Sequence, residues 1–136
     1  MLIRDLEGNS SDWNLRGNIT HAKNVNKSSL HLRARNILAQ KFPTLQILEE
    51  VAIPVRKSET LYLDFYLPLN RLCVEVHGEQ HYKFVAHYHN SQLGFIRHKK
   101  RDRDKMEWCE INNIRYVELP FNENDEEWTA RITNDN

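Results

Sequence analysis

The stretch Leu61-Tyr-Leu-Asp64-Phe-Tyr-Leu67-Pro-Leu-Asn70-Arg-Leu72-Cys-Val-Glu75-Val-His77-Gly-Glu-Gln-His81 decides the fold. It reads as two strands, 61–67 and 72–77, joined by a turn at Pro68-Leu-Asn70. Each strand carries one carboxylate among apolar neighbours. An unpaired charge in such a setting costs roughly several kcal/mol, so something must compensate it. At about 3.3 Å per residue, a tight connection lets Asp64 and Glu75 lie side by side near one end of a sheet. Paired carboxylates on neighbouring strands suit a hard divalent cation, Mg²⁺ or Mn²⁺. Such an ion polarises a phosphodiester and activates water, which points to a metal-dependent hydrolase. The plainer alternative is that both carboxylates face solvent on a half-exposed sheet.

Just beyond the second strand stand His77 and His81. His77 is two residues past Glu75, on the same side of the strand. Either histidine can shuttle a proton near neutral pH, and the sequence leaves open which one does. His87, His89 and His98 follow, but no spacing among them matches a zinc pattern. Further on, Arg101-Asp-Arg-Asp-Lys105 is read as the opening of a helix. Asp102 and Lys105 lie one turn apart and share a face. Asp102 would favour the positive end of the helix and can orient a histidine or a bound water. Lys105 can bind a phosphate. A solvated ion pair is the bland reading of the same two residues.

Working outward, Ser28 and Ser29 cap a helix carried by Leu30, Ala34, Ile37, Leu38 and Phe42 and stopped by Pro43. A strand at 45–55 follows, broken by Pro54. Residues 79–98 read as a long loop with Gly94 inside. A helix at 99–111 ends at a left-handed Asn112-Asn113 stop. A strand at 114–119 and a short helix at 123–132 complete the chain. Helix, three strands, helix, strand is the order αβββαβ. It predicts an α/β (α+β) fold, a mixed sheet flanked by helices, with the last strand parallel to the third of the meander by a right-handed crossover. Residues 1–27 read as a polar arm anchored by Trp13 and Leu15, and 28–136 as the working domain. An arm bearing Arg16, Lys23 and Lys27 can lie along a duplex.

The 136 residues suit one domain and one core. Net charge is zero, but the sum conceals a gradient. Residues 83–105 hold seven Lys/Arg against two Asp; residues 106–136 hold eight Asp/Glu against two Arg. The basic segment follows the carboxylate strands directly, so Arg97, Lys99, Lys100, Arg101 and Arg103 are candidate phosphate contacts. Cys73 and Cys109 are too few for a zinc motif and are read as buried thiols. There is no membrane-length apolar run and no secretory start, so the expectation is a cytoplasmic protein, in the host cytoplasm if phage-encoded.

Three segments in register, Asp64-Phe-Tyr-Leu-Pro68, Glu75-Val-His-Gly-Glu-Gln-His81 and Arg101-Asp102-x-x-Lys105-x-x-x-Cys109-x-x-x-Asn113-Ile114, resemble the PD-(D/E)XK nuclease superfamily. The likeness is greatest to very-short-patch-repair endonucleases and phage homing endonucleases of the EDxHD type. It implies a restriction-endonuclease-like fold and an Mg²⁺-dependent endonuclease acting on double-stranded DNA. Asp64 would be the metal aspartate, Val76 would offer its carbonyl to the metal, His81 would be the catalytic histidine and Asp102 the final aspartate. In the older pattern Asp64 and Glu75 are the ligands and His77 takes the lysine position. The chain departs from the pattern at Leu63, where proline is usual, and in lacking the lysine, whose role would pass to His77 or Lys105. His31 falls near the place of the first-helix glutamate. A freestanding homing endonuclease acting as a homodimer is the sharpest expectation. A mismatch or repair nicking enzyme and a non-catalytic nucleic-acid-binding module are the alternatives.

Overall fold

A computed structural model describes residues 1–15, 17–19 and 27–134. The elements run β1 (Leu2–Arg4), β2 (Ser10–Asp12), β3 (Asn18–Ile19), α1 (Ser29–Lys41), β4 (Leu48–Arg56), β5 (Glu59–Leu67), β6 (Leu72–His77), α2 (Ala86–His89), α3 (Gln92–Ile111), β7 (Arg115–Pro120) and α4 (Asp125–Thr133). The fold is mixed α+β. β3-β4-β5-β6-β7 form one sheet, antiparallel except that β7 runs parallel to β6, while β1 and β2 make a separate hairpin. Among the described residues no helix is long and apolar enough to cross a membrane.

Helices cover both faces of the sheet. On one side Trp108 and Cys109 of α3, together with Ile3 and Trp13 from the N-terminal stretch, pack on Val51, Ile53, Leu63, Tyr66 and Cys73. On the other, Ala34 and Leu38 of α1 and Trp128 and Ile132 of α4 pack on Phe65, Leu67, Val74 and Leu119. Trp13 is the buried anchor of the first segment, whereas Leu15 is exposed. Arg16 and Lys23 lie outside the described residues; Lys27 pairs with Glu50 at 2.8 Å.

Side-chain alternation slips in the middle of the sheet. On β4, Leu48 and Val51 join the same layer although they are three positions apart, an odd spacing; on β5, Leu63 and Tyr66 do likewise. The register pairs Glu49 with Phe65 and Val51 with Leu63, so both slips fall at the Glu50 and Asp64 positions between those pairs. Glu50 has a left-handed backbone, φ +55°, uncommon for a non-glycine residue. A face switch in two adjacent strands turns Glu50 and Asp64 out of the ordinary in-and-out pattern.

The expected loop at 79–98 is largely ordered. It contains a single 3₁₀ turn at Glu79–His81, then α2, and α3 begins at Gln92 rather than at 99. The Ser91 hydroxyl caps α3 by accepting the Gly94 amide at 3.1 Å. Gly94 is no helix breaker here: a Cβ at this position would collide with the His89 carbonyl oxygen, so glycine lets α2 and α3 meet. As a consequence Asp102 lies in the middle of α3, not at its start, and gains nothing from the helix dipole. Pro54 likewise sits inside β4, opposite Thr60, next to a register shift.

Candidate active site

The site is built where β5 and β6 part. Their ladder runs Leu67↔Leu72, Tyr66↔Cys73 and Phe65↔Val74, then stops. One step further, Asp64 faces Glu75, and side chains replace the missing ladder bonds. The Asp64 amide donates to Glu75 Oε2 at 2.5 Å, and the Val76 amide donates to Asp64 Oδ2 at 2.9 Å. Each carboxylate thus closes the fork by accepting a backbone N–H of the opposite strand. The opening lets α1 and α3, which cover different faces of the sheet, contribute to one cavity of about 500 Å³. His31 lines it from α1, Asp64, Glu75 and Val76 from the strands, and His81, Asp102 and Lys105 from the far side.

Glu75 is 2 % exposed and its other oxygen accepts from Lys105 Nζ at 2.8 Å. Burial works against the ammonium, but the negative charge and hydrogen bond of Glu75 prevail and raise the Lys105 pKa. No ion pair reaches Asp64 among the described residues. Burial first, and the Glu75 charge second, push its pKa up to about 7; the Val76 amide and Lys105 offset only part of this. The two carboxylates of the fork thus have one ion-paired cation, Lys105, between them among the described residues. That is the condition under which a divalent cation fits, and the oxygen-rich donors suit a hard one.

A second group stands across the cavity. His81 Nδ1 meets Asp102 Oδ2 at 2.9 Å, and His98 Nε2 lies 3.1 Å from the same Nδ1. Burial opposes the Asp102 charge, but the His81 hydrogen bond and the surrounding histidines win and lower its pKa. An ionised Asp102 accepting from Nδ1–H leaves the His81 Nε2 lone pair for chemistry. Burial, then the neighbouring His81, hold His98 at about 4, so it is neutral near pH 7. His77 lies behind. Its ring stacks under His81 at 4.1 Å and 8°, and its nitrogens face Tyr116 and Glu118 at 3.3 and 3.4 Å. It is 4 % exposed and does not line the cavity.

The basic residues divide by role. Arg101 lines the cavity, and Arg97 and Arg103 are exposed on α3. Lys99 donates to the His81 carbonyl at 3.0 Å, and Lys100 leans toward Asp104 at 3.5 Å. Several residues of this neighbourhood carry no motif. Glu49, fully buried, accepts from Arg35 at 2.9 Å through each of two nitrogens and meets His31 Nε2 at 2.6 Å. Asp104, also buried, pairs with Arg56 at 2.8 Å. The adjacent acids Glu49-Glu50 inside an apolar strand were the available signal for the first network; nothing local announces the second.

Over part of its length the chain is similar to uncharacterized viral proteins. It is 39 % identical over 61 residues to the uncharacterized protein 307L of Invertebrate iridescent virus 6. It is 30 % identical over 64 residues to the uncharacterized protein 033L of Invertebrate iridescent virus 3. These matches cover 45 % and 47 % of this chain but only 31 % and 33 % of the relatives, so the likeness spans about a third of their length. No family model and no solved structure matches.

Proposed function

We propose that this chain is a metal-dependent endonuclease of the PD-(D/E)XK type that hydrolyses phosphodiester bonds in double-stranded DNA. The observation that carries the reading is the strand fork. Two carboxylates from neighbouring strands close it, a lysine from a helix sits on one of them, and a histidine–aspartate pair faces them across one cavity. Asp64 and Glu75, with the Val76 carbonyl that the resemblance adds, would hold the ion, Mg²⁺ or Mn²⁺. When bound, it polarises the phosphodiester and neutralises charge that develops on it.

The chain's own groups do the rest. His81, held by Asp102 through Nδ1, takes a proton from the attacking water at Nε2. Lys105 holds Glu75 in place and brings a positive charge to the floor of the cavity, where a phosphate is favoured. Arg101 lines the cavity, and with Arg97, Lys99, Lys100 and Arg103 elsewhere on α3 it would contact flanking phosphates without reading sequence. His77 supports the His81 ring from below as a positioning residue. A freestanding homing endonuclease acting as a homodimer fits a small domain that must cut two strands. A nicking repair enzyme uses the same site once. The full Lys105–Glu75 ion pair favours a second reading, because it satisfies Glu75 with no metal at all: a nucleic-acid-binding module without catalysis.

The test is to incubate the full chain with DNA of its source genome in Mg²⁺, Mn²⁺ or EDTA and to map the ends. Discrete ends that require the metal support the enzyme. Preference for mismatched duplex points to repair. Retardation of DNA without cleavage in either metal rules the enzyme out and leaves the binding module.

A further inference from the structure

Asp64 has a second set of neighbours, on the side away from Glu75. A ring nitrogen of His31, a carboxylate oxygen of Glu50 and one of Asp64 all lie within 4.8 Å of one another. They come from three elements, α1, β4 and β5. Ligands bound at about 2.1 Å to one octahedral ion stand about 3 to 4.3 Å apart, so a small inward movement completes the set. We propose that His31, Glu50 and Asp64 hold the divalent ion and that the site prefers Mn²⁺ to Mg²⁺. The inference rests on the nuclease reading above and moves the remaining ligands of its ion from Glu75 to the α1 side.

Three observations favour this side. Both Glu75 oxygens are already engaged, one by the Asp64 amide and one by Lys105. His31 is 6 % exposed, and its Nε2 is bonded at 2.6 Å to a fully buried carboxylate, Glu49, itself clamped by Arg35. A histidine that ligates a metal characteristically gives its other nitrogen to such a partner, which fixes the tautomer and the ring. Glu50, finally, is turned toward Asp64 by the paired slips in β4 and β5. One Glu50 oxygen is held by Lys27 at 2.8 Å, which a bound ion must share or displace. Imidazole among the donors sets Mg²⁺ at a disadvantage: Mg²⁺ takes oxygen and keeps its waters, whereas first-row transition ions, Mn²⁺ among them, bind nitrogen more readily beside carboxylates.

Titration calorimetry of the full chain without DNA, using Mn²⁺ and Mg²⁺ separately, tests this, with pulsed electron paramagnetic resonance on the Mn²⁺ form. The wild type is expected to bind Mn²⁺ about tenfold or more tightly than Mg²⁺ and to show nitrogen coupling to the ion. His31→Gln, which can still donate to Glu49, should lose both the preference and the coupling. Glu50→Gln should weaken Mn²⁺ about tenfold, and Glu75→Gln should leave it within a small factor. Circular-dichroism melts identify any variant that fails to fold, and nitrogen coupling that persists in a folded His31→Gln assigns the ion to the His81 side and overturns the inference. No nitrogen coupling, or loss of Mn²⁺ in Glu75→Gln as severe as in Asp64→Asn, overturns the inference. DNA cleavage that needs Asp64 and Glu75 but not His31 or Glu50 overturns it and keeps the nuclease. Mn²⁺ binding as described with no DNA cut keeps this site and rejects the nuclease.

Discussion

Asp64 sits between a buried carboxylate and a borrowed backbone amide, and its proton is the group most sensitive to what binds beside it. Its folded pKa, about 7, is raised above the ordinary 3.8. A raised acid contributes stability that is fully present below the ordinary value and is lost as pH rises through the folded one. Melting of the ion-free wild type should therefore decline between about pH 4 and 7 relative to Asp64→Asn, which has no proton to lose. A bound divalent cation displaces the same proton, so ion affinity should climb over that interval and level off above it. Parallel melts of the two proteins across the range settle the sign; a flat difference contradicts the assignment. Asp102 acts through His81. Asp102→Asn should lower cleavage by about 10² to 10⁴ while leaving DNA affinity nearly unchanged, because it disturbs the tautomer and not the phosphate contacts. Single-turnover rates against binding isotherms separate the two effects.

At the scale of elements, α1 is fastened to β4 by a buried charge network and not only by its apolar face. Glu49 accepts from two nitrogens of the buried Arg35 guanidinium, so Glu49→Ala removes a buried charge partner and should cost about 3–5 kcal/mol, measurable as a shift in the urea midpoint. An effect below about 1 kcal/mol would show that Glu49 is not what fastens α1 to β4. The main strands and helices were legible because their signals are local. Pro68-Leu-Asn70 makes the turn, Ser28 caps α1 through the His31 amide, and Asn113 adopts the left-handed stop at φ +58°. The start of α3 was hidden, since Gly94 suggests a loop until the close approach of His89 explains it; the cap at Ser91 was the usable clue. Of the residues that line the cavity, Asp64, Glu75, His81, Asp102 and Lys105 were legible because they sit in short motifs on ordered elements. The face slip at Glu50 and Asp64 was not, because it arises from pairing between two strands. The burial of His77 behind His81 depends in turn on Tyr116 and Glu118 of a distant strand.

Taken whole, the molecule is a five-stranded mixed sheet between helical layers, opened at one fork so that both layers reach a single cavity. Charge is unevenly distributed: Arg101 and Lys105 of the basic stretch line the cavity, and residues 106–136 hold eight Asp/Glu against two Arg. DNA affinity should accordingly fall steeply with salt, with a logarithmic slope of about −0.9 per neutralised phosphate on duplex. Replacing Arg97, Arg101 and Arg103 together by Ser should flatten that slope by about two to three units, as read from fluorescence anisotropy at several salt concentrations. An unchanged slope would move the DNA path elsewhere. The most direct test of the site itself pairs binding with cleavage in one variant. With Mg²⁺ or Mn²⁺ on DNA carrying a mapped cut, Asp64→Asn should bind as the wild type does and leave the DNA intact. Cleavage by Asp64→Asn at the wild-type rate would contradict the account.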